Sequence, residues 1–225
     1  MIDLRSYSSR AELAEAVADL LAGRLRALID QKDSARIAVP GGTTPGPMLT
    51  RLGQQDVRWE DVRVTLTDER WVPVTSERSN QRLLSETLFT GHAAEAIFAP
   101  LYNGAPEPAL GIDAVAAGLE QTVLPLDIAV LGMGGDMHTA SLFPGAVGLE
   151  AALAPDAPAA LVITAPGADE PRITLSARVL NAAERHILIT GPDKRAALER
   201  AVELDDPISA PVRAVLDGAT IHYAD

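Results

Sequence analysis

Residues 127–145 read DIAVLGMGGDMHTASLFPG, and this stretch decides the fold class. Its first part ends at Leu131 and is mostly apolar, which predicts a buried strand. Glycines follow the strand, and then come Asp136, His138 and two hydroxyl side chains. Ligands of α/β proteins bind at the carboxyl ends of the strands, so the stretch predicts a site at that edge of a sheet. Histidine suits proton transfer there because an unperturbed imidazole has a pKa of about 6.5.

The composition is that of a globular protein with a large core. The chain has 225 residues, of which 47% are hydrophobic, and we expect a single domain over residues 1–225. Acidic residues outnumber basic ones by 31 to 19, and the net charge of −12 argues against nucleic-acid binding. An anionic small molecule is still compatible with this charge, because a few local cations can outweigh it.

Several classes of site and location are disfavoured. The chain has no cysteine, which excludes disulfides, thiolate catalysis and cysteine metal sites. The four histidines lack the spacings of common metal motifs, so we expect no metal. No apolar run reaches the ~20 residues of a membrane span, and the N-terminus lacks the features of a signal peptide. We therefore expect a soluble cytoplasmic protein that does not bind membranes.

Strand and helix patterns alternate along the chain. Strands are predicted at residues 36–39, 61–67, 96–99, 127–131, 161–164, 172–175, 186–190 and 220–223. Helices are predicted at residues 8–29, around 48–52, and at 81–89, 112–124, 176–183 and 193–202. Residues 102–110 are predicted to be a connection, and 151–160 a surface loop or linker. The alternation predicts a Rossmann-like, doubly wound α/β fold with a mainly parallel sheet and helices on both faces.

A second candidate site follows the strand at residues 36–39, where the sequence reads Pro40-Gly-Gly-Thr-Thr-Pro45. Gly41 and Gly42 let the backbone approach a ligand closely, and the free N–H groups at the start of the next helix attract an anion. Thr43 and Thr44 add hydroxyl donors. An ordinary βα turn with a threonine cap explains the pattern equally well. The loop is neither a Walker loop nor a GxGxxG fingerprint.

The strand at residues 61–67 leads into Asp68, Glu69 and Arg70. Either carboxylate can orient a partner or act as a base, and the planar guanidinium of Arg70 suits a phosphate or a carboxylate. A self-satisfied ion pair is the alternative for each of these residues taken alone. Asn80 closes the following loop, where it either donates an amide hydrogen bond to a ligand or caps the next helix.

Asp136 and His138 form the sharpest local pair, because a carboxylate can fix the tautomer of a histidine base. Side chains at i and i+2 of an extended segment point apart, however. The alternative is that Asp136 binds backbone amides of the loop while another acid holds the imidazole.

Two cations later in the chain are further candidates. Lys194 lies in the first turn of a helix, where a cation is unfavourable for the helix dipole unless an anion is nearby. Arg172 begins a strand and is either an anion contact or a surface charge. A serine-hydrolase site is disfavoured, because Ser141 follows His138 too closely and no GxSxG elbow exists. The remaining histidines are interpreted as structural: His92, His186 and His222.

These motifs together resemble the signature of the 6-phosphogluconolactonase family. The most specific match is the string from His138 to Gly145, preceded by Leu131-Gly-Met-Gly134. The other matching segments are Gly41–Pro45, Asp68–Arg70 with Val72-Pro73, Ser79-Asn80, Arg172–Thr174 and Gly191–Lys194. The glycine loop alone is shared with glucosamine-6-phosphate isomerases and deaminases. The chain departs from the family at Met137, where the family has glycine, and a positive φ there would strain a methionine by about 1 kcal/mol.

The resemblance implies hydrolysis of 6-phospho-D-glucono-1,5-lactone to 6-phosphogluconate, without an organic cofactor. Our hypothesis makes His138 the base that activates water, with Asp136 and Arg70 as the other catalytic residues. Amides of the turn at 132–135, or Arg70, stabilise the oxyanion. The expected substrate-binding residues are Gly41, Gly42, Thr43, Thr44, Asp68, Asn80, Arg172 and Lys194. The expected partner is a phosphosugar lactone, with no nucleic acid and no membrane, bound by a monomer or weak homodimer.

Two alternatives stay open. The first is a sugar-phosphate isomerase or deaminase on the same fold, with Asp68 as the proton-abstracting base. Leu142-Phe143-Pro144 argues against it, because that branch usually reads His-Ile-Ala-Phe-Asn-Glu-Pro. The second is a catalytically decayed phosphosugar-binding protein, in which Met137 marks the loss of activity.

Overall fold

The computed structural model describes residues 2–225. Within this range the strands are β1 (Asp3–Ser6), β2 (Ala35–Val39), β3 (Val62–Leu66), β4 (Asp68–Arg70), β5 (Ile97–Ala99), β6 (Ile128–Gly132), β7 (Ala160–Ile163), β8 (Arg172–Leu175), β9 (Glu184–Thr190) and β10 (Thr220–Ala224). The α-helices are α1 (Arg10–Lys32), α2 (Gly46–Gly53), α3 (Asn80–Glu86), α4 (Pro108–Thr122), α5 (Leu149–Leu153), α6 (Ala177–Asn181), α7 (Pro192–Leu204) and α8 (Arg213–Leu216). Two short 3-10 helices lie at Trp59–Asp61 and Gly91–Glu95.

The main sheet is parallel and has seven strands among the described residues, in the order β1-β10-β9-β6-β2-β3-β5. The central strands are buried along nearly their whole length and are mostly apolar, as expected for parallel strands covered on both faces. Helix α1 packs on α2 and contacts β2 and β10. A parallel sheet flanked by helices confirms the predicted α/β class.

The order in which strands join the sheet reverses between β2 and β6. From β2 the chain adds β3 and β5 on one side, and it then returns to place β6, β9 and β10 on the other side. The loops that follow β2 and β6 therefore diverge and leave a crevice at the carboxyl ends of the strands, which is where α/β proteins bind ligands. These two loops carry the glycine motif at 41–45 and the motif at 132–145.

A separate antiparallel sheet, in the order β4-β8-β7, stands beside the crevice. Thr67 joins it to the main sheet. The N–H of Thr67 donates to the carbonyl of Val39 at 3.0 Å, and its carbonyl accepts from the N–H of Leu175 at 2.9 Å. The chain leaves the main sheet at this point and places β4 in the wall of the crevice. The sequence does not predict this sheet, because the three residues of β4 are too few for a period-2 pattern.

Other predicted boundaries are wrong for identifiable reasons. The sequence does not predict β1, which is an edge strand whose side chains are mostly exposed and lack apolar alternation. Residues 151–160, predicted to be a surface loop or linker, include the end of α5, the buried Ala157 and Ala159, and the first residue of β7. Helix α4 begins at Pro108 instead of residue 112, because proline suits the first turn of a helix. Within residues 2–225, no helix has both the length and the apolar character needed to cross a membrane.

Candidate active site

The crevice between the loops after β2 and β6 is a cleft of about 250 Å³. Every site residue predicted from the sequence lines this cleft except Asp136, which contacts His138 instead. The predicted residues that line it are Gly41, Gly42, Thr43, Thr44, Asp68, Arg70, Asn80, His138, Arg172 and Lys194. They come from six separate segments of the chain, and the fold brings them together.

The glycine loop forms one wall of the cleft and opens helix α2. Gly41 packs against Asn80 so closely that a Cβ added at Gly41 would lie 1.9 Å from the Oδ1 atom of Asn80. Gly42 has a φ of +95°, a conformation that favours glycine. The backbone N–H groups of residues 42–44 have no acceptor within the described part of the chain. Exposed donors at the start of a helix make this loop a suitable place for an anion.

Strand β4 divides its three side chains between the cleft and the protein interior. Successive side chains of a strand point to opposite faces. Asp68 and Arg70 line the cleft, whereas Glu69 is fully buried. Pairing with β8 places Arg70 opposite Arg172 and Asp68 opposite Thr174. The sequence left open whether Asp68 or Glu69 is functional, and the structure places only Asp68 in the cleft.

Glu69 anchors the start of helix α3. Its carboxylate accepts hydrogen bonds from the backbone N–H groups of Arg70, Asn80 and Gln81 at 2.7–2.8 Å, and from the Ser79 hydroxyl at 3.1 Å. Burial raises the pKa of Glu69 above its usual range, although these hydrogen bonds oppose the shift. Ser79, and not Asn80, is the cap of α3, so the helix-cap alternative for Asn80 is wrong. Asn80 instead donates from its side-chain amide to the carbonyl of Asp68 at 2.9 Å.

Three side chains lie close to the carboxylate of Asp68. The buried Ser141 hydroxyl donates to Oδ2 at 2.6 Å, and the Thr67 hydroxyl donates to Oδ1 at 3.4 Å. A guanidinium nitrogen of Arg172 lies 4.0 Å from Oδ2. Ser141 is thus occupied with Asp68 and not with His138, which fits the absence of a serine-hydrolase triad.

A tight turn brings Asp136 and His138 together. The N–H of Gly134 donates to the carbonyl of His138 at 2.8 Å, and the N–H of Met137 donates to the carbonyl of Gly134 at 3.0 Å. Met137 takes a φ of +68° within this turn. The segment is therefore not extended, and Nδ1 of His138 lies 2.5 Å from Oδ1 of Asp136. The alternative for Asp136 is correct in one part, because its Oδ1 also accepts from the backbone N–H of His138 at 3.2 Å. Its other part is wrong, because Asp136 itself, and not another acid, holds the imidazole.

The turn affects the pKa of Asp136. Partial burial alone would raise the pKa of Asp136, but the charge and hydrogen bonds of His138 outweigh burial and hold this pKa below its usual range. The ionised carboxylate of Asp136 accepts a hydrogen bond from Nδ1–H of His138. In the neutral imidazole, the lone pair is then on Nε2. Among the described residues Nε2 has no hydrogen-bond partner, so it is the nitrogen available to a ligand in the cleft.

Three cations face the cleft from different elements. Lys194, in the first turn of α7, reaches back to the loop after β6, where its Nζ donates to the carbonyl of Met133 at 2.7 Å. Arg70 donates to the carbonyl of Arg78 at 2.6 Å. Burial, followed by the neighbouring charge of Arg70, lowers the pKa of Arg172. Because Arg70 and Arg172 repel each other, an anion held beside them in the cleft would stabilise both, and Lys194 lines the same cleft.

One aromatic residue at the site, Phe143, is not predicted from the sequence. Phe143 stacks on His138, with ring centroids 4.1 Å apart and the planes inclined by 29°. The guanidinium carbon of Arg172 lies 5.0 Å from the centroid of the same ring. Phe143 follows His138 by five residues, so the sequence already indicates that the two residues lie near each other. The contact of Phe143 with Arg172 is evident only from the fold.

Two of the histidines interpreted as structural lie away from the cleft in neighbouring strands. His222 in β10 is bonded to the Tyr7 hydroxyl at 2.8 Å and to His186 in β9 at 3.1 Å. His186 in turn contacts Glu184 at 3.2 Å. Burial, with the repulsion of His186, lowers the pKa of His222 to about 4. Within residues 2–225, no cluster of three or more His, Asp or Glu side chains is arranged to hold a metal ion.

The chain is similar in sequence to proteins of one known family. The profile of the family described as glucosamine-6-phosphate isomerases/6-phosphogluconolactonase matches residues 8–222. The chain is 42% identical to the 6-phosphogluconolactonase of Rhizobium meliloti over 95% of this chain and 93% of that protein. It is 38% identical to that of Pseudomonas aeruginosa, over 99% of this chain and 94% of that protein.

A solved structure extends the likeness to three dimensions. The crystal structure of a 6-phosphogluconolactonase from Shewanella baltica superposes with a TM-score of 0.97 at 32% identity, covering 100% of this chain and 98% of that one. The 6-phosphogluconolactonase of Thermotoga maritima gives a TM-score of 0.82 at 25% identity, covering 98% of each chain. The chain belongs to the family of glucosamine-6-phosphate isomerases and 6-phosphogluconolactonases.

Proposed function

We infer that this protein is a 6-phosphogluconolactonase, which hydrolyses 6-phospho-D-glucono-1,5-lactone to 6-phosphogluconate in the pentose phosphate pathway. The observation that carries the inference is the paired imidazole at the cleft. His138 has its Nδ1 held by Asp136 and its Nε2 free, beside a loop of open backbone donors. The relatives of this chain that carry the same name support the assignment.

The phosphate is the group by which the enzyme holds its substrate. The N–H groups of residues 42–44 and the hydroxyls of Thr43 and Thr44 surround one face of it, and Lys194 supplies a positive charge. Binding energy gained at the phosphate, far from the reacting carbon, fixes the lactone carbonyl close to His138. Asp68 and Asn80 then contact the hydroxyls of the sugar, since both line the same cleft.

Neutral His138 acts as the general base. Its Nε2 takes a proton from water while the water oxygen forms a bond to C1 of the lactone. Asp136 stabilises the imidazolium that results. Negative charge develops on the carbonyl oxygen, and Arg70 or Arg172 stabilises it together with amides of the turn at 132–135. The C1–O5 bond then breaks, and the imidazolium returns its proton to the ring oxygen, which yields the free acid.

The test is a lactonase assay on freshly prepared 6-phosphogluconolactone, corrected for spontaneous hydrolysis. His138→Ala lowers kcat by roughly 10²–10⁴-fold, the usual loss for a missing general base. His92→Ala is the matched control, because this histidine lies outside the cleft in a short 3-10 helix. Full kcat in a folded His138→Ala enzyme contradicts the role of His138, and an inactive wild type contradicts the function itself.

One observation keeps an isomerase or deaminase as the second candidate. Asp68 presents a carboxylate to the cleft, as a proton-abstracting base must. Its oxygens accept hydrogen bonds from the hydroxyls of Ser141 and Thr67, however, whereas Nε2 of His138 has no partner among the described residues. Release of ammonia from glucosamine 6-phosphate would favour this candidate. Tight binding of 6-phosphogluconate without any lactone turnover would instead favour a catalytically decayed protein that only binds sugar phosphates.

We also propose that the active species is a monomer or weak homodimer. The lining of the cleft comes from a single chain, so no second copy is needed to complete it. Sedimentation at assay concentration and after hundredfold dilution tests this proposal, and a dimer or larger oligomer that persists on dilution contradicts it.

A further inference from the structure

Phe143 contacts two functional groups that come from different parts of the chain. Its ring is stacked on His138, at 4.1 Å between centroids, and lies 5.0 Å from the guanidinium carbon of Arg172. His138 belongs to the turn after β6, whereas Arg172 begins β8 in the small sheet. The aromatic ring is thus the direct packing link between the base and a cation of the cleft.

A hydrogen bond alone does not fix the direction of an imidazole. The bond from Nδ1 to Asp136 fixes one ring atom, and the ring can still tilt about that point. A flat aromatic face against the imidazole removes this remaining freedom. The position of Nε2, which must meet a water molecule at a defined distance, therefore depends on Phe143 as well as on Asp136.

Arg172 needs the ring for a different reason. Its side chain is only 17% exposed, and its nearest carboxylate oxygen, on Asp68, is 4.0 Å away. Its Nε is buried and lacks a hydrogen-bond partner in the described chain. The negative face of an aromatic ring attracts a guanidinium, so Phe143 compensates for part of this poor solvation and restricts the side chain to one orientation.

We propose that Phe143 is a positioning residue that sets the imidazole plane of His138 and the guanidinium of Arg172 in one fixed arrangement. The inference rests on the proposed lactonase function. Phe143 itself transfers no proton and makes no charge interaction with the substrate. Through the stack it determines where Nε2 lies relative to the anion-binding cations.

The test compares Phe143→Leu, which keeps apolar bulk but removes the flat face, with Phe143→Tyr, which keeps the face. Phe143 is only partly buried, so the added hydroxyl of tyrosine can reach solvent. We expect Phe143→Leu to lower kcat by about 3- to 30-fold, because it removes a stack and a cation–π contact. We expect the kcat of Phe143→Tyr to stay within about twofold of that of the wild type. In the His138→Ala background, Phe143→Leu lowers the residual rate by a smaller factor than it lowers kcat in the wild type, because one of the two groups that Phe143 positions is gone while Arg172 remains.

A second readout separates positioning from a general structural role. The ring current of Phe143 shifts the NMR resonances of the His138 imidazole, and Phe143→Leu removes this shift while the thermal midpoint stays close to that of wild type. Unchanged kcat in Phe143→Leu, equal losses in Leu and Tyr variants, or an unmoved His138 resonance each overturn the proposal. Because the wild type and His138→Ala are assayed in parallel, an inactive wild type would instead refute the lactonase function.

Discussion

Replacement of Met137 by glycine tests whether the methionine impairs the catalytic turn. Met137 has a φ of +68°, which costs an L-residue roughly 1–2 kcal/mol relative to glycine. Its side chain is half-buried and packs against the main core, so its removal costs about 1 kcal/mol. Glycine also lowers the free energy of unfolding by roughly 0.5–1 kcal/mol, because it increases the conformational entropy of the unfolded chain. These contributions nearly cancel, and we expect the free energy of unfolding to change by less than about 1 kcal/mol.

The effect on catalysis follows from the backbone. The turn at 134–138 already adopts the conformation that glycine prefers, and the carbonyl of Met137 is tied to the N–H of Val212 at 3.0 Å. Met137→Gly therefore leaves the contact between Asp136 and His138 in place, and kcat stays within about threefold of wild type, or less than about 1 kcal/mol in the barrier. The assays are urea unfolding and lactone hydrolysis on the same preparations.

Met137→Val is the matched control. A β-branched residue is strongly disfavoured at positive φ, so this variant forces the turn to change. We expect a loss of more than about 2 kcal/mol in stability or at least a tenfold fall in kcat. A tenfold rise in kcat for Met137→Gly would refute the reasoning, because it would mean that methionine holds the imidazole away from its productive position.

Two further predictions concern charge. Lys194→Ala raises KM for the lactone by roughly 10- to 100-fold with little change in kcat, because a lost charged hydrogen bond to phosphate acts equally on ground and transition states. Arg195→Ala, which removes a surface arginine paired with Glu199, is the control, and a change confined to kcat would contradict a phosphate role for Lys194. The pKa of His222 is about 4 in the folded protein against 6.5 unperturbed, so between these pH values the unfolded state binds more protons. The free energy of unfolding should therefore fall by about 3 kcal/mol as the pH drops from 7 to 4. Urea unfolding of wild type and His222→Asn at several pH values isolates this contribution, and parallel pH curves for the two proteins would exclude it.

The sequence predicted the parts of the site that depend on local chain features. Apolar runs ending in glycine located the loops after β2 and β6, and parallel strands bring such loops to one edge of the sheet. The small sheet was not predictable, because β4 has three residues and its pairing partner lies about a hundred residues later along the chain. Without β4, the alternation that separates Asp68 from Glu69 could not be applied.

The sequence predicted that Asp136 pairs with His138, but it did not predict the turn that brings the two side chains together. Extended geometry separates residues i and i+2, and only a positive φ at the residue between them folds the segment back. Methionine rarely adopts that conformation, so the sequence argued against the turn that the fold imposes. Two backbone bonds within the turn and one to Val212 hold the unfavourable residue in place.

Net charge was the least informative property for the choice of ligand. The chain carries −12 overall, yet the cleft collects Arg70, Arg172 and Lys194 around Asp68. Screening in physiological salt has a length of about 8 Å, so surface carboxylates beyond that distance contribute little to a bound phosphate. Cations within contact distance act at far lower effective dielectric and dominate binding. The global charge therefore affects the rate at which an anion arrives, whereas the few residues that the strand ends bring together determine whether it stays.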